Sequence, residues 1–202
     1  MRKVMTTIVC IALMLCIAMP AFAAVSGDEV KTYGTPFLIT NAGQGPGGKM
    51  ARLLVSQTGT LTLDTDYFYD SEPGAEGHGT LDDMDYSCLV VVIGSTDKGL
   101  GASGITIEDE LARLEKMVAH AKEIELPIVA VLLEKDKRSD IPTNANERCI
   151  DAICPNAEWM VVVADGNTDG SFDKLKEEYG IPLTVIDTTL DFTELAKLAF
   201  VK

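Results

Sequence analysis

The chain has 202 residues, 31 of them Asp or Glu against 17 Lys or Arg, and a formal net charge of −14. So acidic a surface repels nucleic acid and anionic lipid, which excludes the function classes that depend on phosphate backbones or headgroups. It also opposes any anionic ligand that lacks strong local donors.

The N-terminus reads MRKVMTTIVCIALMLCIAMPAFA. Arg2 and Lys3 precede an apolar core that is short for a membrane span, and Ala21-Phe22-Ala23 forms an A-x-A cleavage site. This pattern predicts a secretory signal peptide over residues 1–23, cleaved after Ala23, and export to the periplasm or the cell exterior. Cleavage removes two basic and no acidic residues, leaving 15 against 31 and a net charge of −16. No later run is apolar and long enough to span a membrane. Residues 24–35 read as an N-terminal extension and 36–202 as one domain, a length that supports a sizeable core.

Within that domain, apolar runs of β type alternate with amphipathic segments. The runs are PFLIT (36–40), LTLDTDYFY (61–69), CLVVVIG (88–94), IVAVLLE (128–134), WMVVVAD (159–165) and LTVID (183–187). Several are continuously apolar, as strands buried on both faces are. Helices are expected at 49–57, 106–125, 144–153, 172–179 and from about 191. In the second of these, Ile107, Leu111, Leu114, Val118 and Ala121 share one face, and Thr106 with Asp109 makes a capping box. Asp191 and Glu194 suggest a box for the last helix. Alternating strand and helix predict an α/β fold, a single doubly wound, Rossmann-like or flavodoxin-like, mostly parallel sheet of about six strands with helices on both faces. The polar, turn-rich stretch 70–87 interrupts the alternation.

Ligands of such sheets bind beyond the carboxyl ends of the strands, where strand order reverses. Three Gly-rich loops leave that edge. The first, NAGQGPGGK (41–49), fits both the P-loop and the dinucleotide spacing. Met50, however, stands where a P-loop needs Ser or Thr for Mg²⁺, and Pro46 is foreign to a dinucleotide turn. Asp70 lies where a ribose-binding acid would be, and Asp165 could imitate a metal-holding strand end. Exported proteins rarely meet ATP or NAD, so no cofactor is expected. The second loop is GSTDKGLGASG (94–104), with Lys98 as a counter-charge. The third is ADGNTDGS (164–171), whose Asp165, Asn167 and Asp169 echo a calcium loop. Lys176 stands where its bidentate Glu would be, so turn chemistry is the preferred reading and no metal is expected.

Backbone N–H groups at such loop-to-helix junctions bind anions. The candidate ligand residues are Asn41, Gly43, Gln44, Gly45, Gly48 and Lys49 from the first loop, then Ser95, Thr96, Asp97, Gly99, Gly101 and Ser103 from the second, and Asp165 and Asn167 from the third. Arg52 offers a further cation. The reading they support is a module binding a small carboxylate or phosphate between the first two loops. One alternative is an enzyme acting on a small anionic or nucleotide-like substrate in the same crevice, with Asp70, Asp97 or Asp165 as base. Another is a structural or protein-interaction domain. Catalytic pairings are sparse: His120 is expected in solvent, His78 on a surface loop, and no G-x-S-x-G elbow occurs. Of the cysteines, Cys88, Cys149 and Cys154 remain after cleavage. They read as buried thiols, with a single disulfide as the alternative.

Together FLITNAGQGPGGKMARLL, VVVIGSTDKGLGASGITIEDELARLE and VVVADGNTDGSFDKL resemble a bacterial family of exported proteins known only as domain of unknown function 6305, over about residues 36–200. The resemblance implies a secreted, Rossmann-like α/β domain. It implies no activity, substrate or catalytic residue.

Overall fold

The computed structural model describes residues 25–58, 81 and 85–201. The expected signal peptide, the strand at 61–69, Asp70 and His78 lie outside those residues. Among them run six strands: β1 Val25–Gly27, β2 Leu38–Ala42, β3 Leu89–Ile93, β4 Ile128–Leu132, β5 Trp159–Val163 and β6 Leu183–Ile186. They form one sheet in the order β1-β6-β5-β4-β3-β2. Every pairing from β2 to β6 is parallel, and β1 runs antiparallel to β6. The α/β architecture with its mostly parallel sheet is therefore as the alternation predicts.

The continuous apolar runs have their reason in the sheet. Every residue of β2, β3, β4 and β5 is buried. Side chains alternate between two cores, as the period of two in a strand requires. Leu89, Val91 and Ile93 point to one face with Ile128, Ala130 and Leu132. Cys88, Val90 and Val92 point to the other with Val129, Val131 and Leu133.

The described residues contain six α-helices: α1 Gly47–Ser56, α2 Asp97–Ala102, α3 Ile107–Glu123, α4 Ala145–Ile153, α5 Ser171–Tyr179 and α6 Phe192–Ala199. Leu114, Met117, Val118 and Ala121 of α3, Cys149 and Ile150 of α4 and Phe172 of α5 fill the first core. Ala51, Leu54 and Val55 of α1 and Phe192, Leu195 and Ala199 of α6 fill the second. From β3 to β6 the chain steps one strand at a time in one direction, so right-handed crossovers put α3, α4 and α5 on the same face. The helix after β2 lies on the opposite face. Strand order runs one way from β2 to β6, so the reversal expected beside the first loop does not lie between β2 and β3.

Local signals match most ends. Thr106 and Asp109 form the expected capping box of α3. Asn144 accepts from Asn146 N at α4, and Gly180, at φ 69°, ends α5. Two ends differ. The box near the last helix joins Thr188 to Asp191 across a 3₁₀ turn, Thr189–Asp191, rather than Asp191 to Glu194. Ser171 is the first residue of α5, and the cap comes from Asn167 Oδ1, which accepts from Phe172 N at 2.9 Å. Cys88, Cys149 and Cys154 are free and buried, the thiol alternative of the two. Burial pushes the Cys149 thiol up to about 12.

The segment expected as an extension joins the sheet. β1 covers the outer edge of β6, and Tyr33 bridges to Phe200. Tyr33 also stacks on Trp159, whose indole N–H donates to Thr184 Oγ1 at 2.9 Å. Asp28 anchors the segment: it accepts from Leu183 N at 2.8 Å and pairs with Lys176 at 2.6 Å. The Lys176 ammonium first, and then the Leu183 amide, hold the Asp28 carboxyl below its ordinary value. A carboxylate with a lowered native pKa stabilises above its unfolded value, near 3.9, and loses that contribution as pH falls through the lower native value. Asp28→Ala should cost about 1–2 kcal/mol at pH 7 through the lost charge-assisted bonds. The cost should fade below about pH 4, as read by urea denaturation at the two pH values.

Candidate functional site

The first and second Gly-rich loops meet, because β2 and β3 are neighbours. Gly45 N donates to Gly94 O at 2.9 Å, and Ser103 Oγ reaches Gln44 Oε1 at 3.5 Å. The approach leaves no room for a side chain at the turn. Gly43 has φ +95°, which favours glycine, and a Cβ there would stand 2.5 Å from Ser95 Cβ.

The amides expected to hold an anion have acceptors within the protein. Gly43 N donates to Glu110 Oε1 at 2.7 Å, and Gly48 N to Asn41 Oδ1 at 2.6 Å. Ser95 N donates to Asn146 Oδ1 at 3.0 Å, and Gly99 N to Thr96 Oγ1 at 3.0 Å. Thr96 is there as the cap of α2, so the second loop is half helical. Lys49, Asp97, Lys98 and Gly101 are exposed on the outer surface of these loops. Arg52 is half-buried on α1.

Glu110 and Arg113 carry this arrangement, and the sequence reading missed both. Glu110 is fully buried on α3. Arg113 Nε donates to Glu110 Oε2 at 2.9 Å, and its Nη2 donates to Glu110 Oε1 and to Asn41 O, each at 2.6 Å. A signal for them existed. Glu110 sits between Ile107 and Leu114 at the i, i+3, i+7 spacing of the apolar stripe, where a carboxylate must find partners.

The third loop is occupied with its own turn. Asn167 caps α5, Asp169 accepts from Ser171 N at 3.1 Å, and Asp165 pairs with Lys135 at 2.7 Å. Arg138 binds Glu147, Asp169 and the carbonyl of Gly166, fastening the loop from beneath. Asn167 and Asp169 thus serve the turn, while Asp165 ties it to Lys135. Among the described residues, no three His, Cys, Asp or Glu side chains gather as a metal site, and no helix is long and apolar enough to cross a membrane.

An open hollow of about 410 Å³ lies at the carboxyl edge, over the ends of β4, β5 and β6. Met50, Leu133 and Val163 supply apolar surface, and Thr188 and Thr189 supply hydroxyls. Glu134, Asp136, Asp165 and Asp187 oppose Lys135 and Lys137, so the lining carries two excess negative charges. Two other hollows, of about 490 and 520 Å³, lie at the β1 side beside Lys176 and between α3 and α4. Neither is at the carboxyl edge, where this class of sheet places its chemistry.

Glu134 links that hollow to the glycine loops. Lys137 approaches its Oε1 at 3.8 Å, while its buried Oε2 has no hydrogen-bond partner among the described residues. A Cβ at Gly94 would stand 2.7 Å from that oxygen, and one at Gly45 or Gly47 at 3.2 Å. Burial pushes the Glu134 carboxyl above its ordinary value, an effect that Lys137 offsets only in part. Asp97 and Asp165, the bases expected for an enzyme, are both exposed.

Over residues 34–200 the chain matches a family described as Domain of unknown function (DUF6305). No curated protein matches it.

A carboxyl whose native pKa is raised destabilises the fold when ionised. That loss is complete above the native pKa and absent below the unfolded value, near 4.3. Glu134→Gln, which removes the charge and keeps the shape, should raise stability at pH 7. The gain should shrink as pH approaches 4. Thermal unfolding of both proteins across that range reads the difference directly.

Proposed function

Because the chain belongs to the family described as Domain of unknown function (DUF6305), whose description assigns no activity, we propose its function from its geometry: an exported module that binds a small polar molecule at the carboxyl ends of β4, β5 and β6. The observation that carries this reading is the hollow there, of about 410 Å³, with Glu134 at its wall. Its size is in the range of small-molecule sites, and it pairs apolar surface with a few polar groups, as such sites do.

The lining favours one kind of ligand. A small carboxylate or phosphate would have to work against two excess negative charges. Lys135 is already engaged by Asp165, and Lys137 faces Glu134. The loop amides at Gly43, Gly45, Gly48 and Ser95 are likewise committed to protein acceptors. A neutral or cationic molecule rich in hydrogen-bond donors suits the hollow better, because the acidic side chains accept. Export is supported by the N-terminal sequence pattern alone.

The raised pKa of Glu134 favours one second reading. A half-buried carboxyl with elevated pKa has the character of a general acid–base group. The enzyme alternative would centre on it rather than on Asp97 or Asp165. A bell-shaped or single-limb pH–rate profile that Glu134→Gln abolishes would mark that reading.

The test is a binding screen on the mature protein with matched probes of one carbon skeleton: butylammonium, butanol and butyrate. The ammonium or alcohol should bind and the carboxylate should not. Asp187→Asn and Asp136→Asn, which leave the buried wall intact, should together weaken the ammonium probe about tenfold, equivalent to about 1.4 kcal/mol. Preference for butyrate, with sensitivity to Lys49→Ala and none to the aspartate changes, would sink this reading and return the site to the glycine loops.

A further inference from the structure

A second feature, on the other side of the turn after β2 from Glu134, concerns what fills the end of β2. The Gly43 amide and the Arg113 guanidinium converge on one carboxylate. Gly43 N reaches Glu110 Oε1 at 2.7 Å, Arg113 Nη2 reaches the same oxygen at 2.6 Å, and Arg113 Nε reaches Oε2 at 2.9 Å. A backbone N–H of a glycine turn plus a forked guanidinium is how proteins recognise free carboxylates. Here the carboxylate is fully buried and comes from α3, 67 residues along the chain. Arg113 is itself held in place by Asn41 O at 2.6 Å, so the donors are oriented by the end of β2 as well as by their occupant.

We infer that Gly43 N–H and Arg113 form a carboxylate-binding site whose occupant is the chain's own Glu110, and which takes a free carboxylate of the acetate class when that side chain is shortened. The atoms that Glu110→Ala removes, Cγ and the carboxylate group, have the composition of acetate. The Gly43 amide that loop spacing suggests for a ligand is therefore a real donor, and it is saturated from within, with Arg113 beside it.

The experiment compares wild type, E110A and E110Q in acetate and in chloride at equal ionic strength. In 100 mM acetate, E110A should gain a shift of about tenfold in its folding equilibrium over chloride, the gain expected when ligand exceeds its dissociation constant about tenfold. Wild type and E110Q should show no such difference. E110Q fills the space and retains an acceptor for Gly43 N–H, so it reports on acetate acting elsewhere. If E110A does not fold alone, recovery of folded protein on refolding in acetate but not in chloride is the same positive result. An E110A that is indifferent to acetate by both readouts would overturn the inference, and so would an equal response in wild type or E110Q.

Discussion

The buried pair of Glu110 and Arg113 ties together three parts of the molecule that the chain brings to one place from distant positions. Glu110 holds the turn after β2 through the Gly43 amide, and Arg113 holds the Asn41 carbonyl near the end of the same strand. Both residues belong to α3, which packs on the first core through Leu114, Met117 and Val118. Two charges withdrawn from water are costly unless they meet each other and their remaining hydrogen-bonding capacity is met as well. Glu110 meets that demand at both oxygens and Arg113 at Nε and Nη2, while the buried Nη1 of Arg113 has no partner among the described residues. The register between helix and strand end is thereby specified, since a slip of one residue would strand a charge. Loop positions follow from it. With Gly43 fixed, Gly45 reaches Gly94 O, and Asn41 is free to cap α1 through Gly48 N.

Much of the fold was legible because its cause repeats along the chain. Strands β2 to β6 stand in the sequence as apolar runs, since burial on two faces demands apolar residues at successive positions. The box at Thr106 and Asp109 could be read for a local reason, a side chain and an amide three residues apart. β1 left no such mark. Three residues, Val25, Ser26 and Gly27, carry no period, and their place depends on pairing with β6 about 160 residues later. The candidate site was legible in part. Gly-rich loops one and two do meet, as neighbouring strand ends require. What could not be read was where their amides turn, because the acceptors Glu110 and Asn146 arrive from other helices. Glu134 was equally hidden, as the last letter of an apolar run whose depth in the wall depends on Gly45 and Gly94 lying beside it.

Acidity and loop chemistry are related here. A chain with 31 acidic and 17 basic residues works against external anions at long range. Its own carboxylates reach the same donors without that opposition, since covalent attachment makes their local concentration high. Glu110 occupies the turn after β2, and Glu134 lies against the far side of the same turn. The two differ in consequence. Glu110 has a guanidinium and an amide and is a structural charge. Glu134 has a distant ammonium on one oxygen and, among the described residues, no hydrogen-bond partner on the other. Charge that is fully matched fastens a fold, and charge left partly unmatched beside an open hollow is available for recognition.

The short strand β1 bears on how copies of this chain coexist. An uncovered sheet edge presents a row of free N–H and C=O groups, and any second chain in extended form can dock on it. β1 takes that place along β6, pairing Val25 to Ile186, Ser26 to Val185 and Gly27 to Thr184. It runs against the direction of the other strands and is only three residues long, so it offers a neighbour little to continue. Asp28 follows at once and places a charge at its end. The first residues of the described chain thus act as a selvedge, a finished border that keeps this side of the sheet from being woven into another molecule.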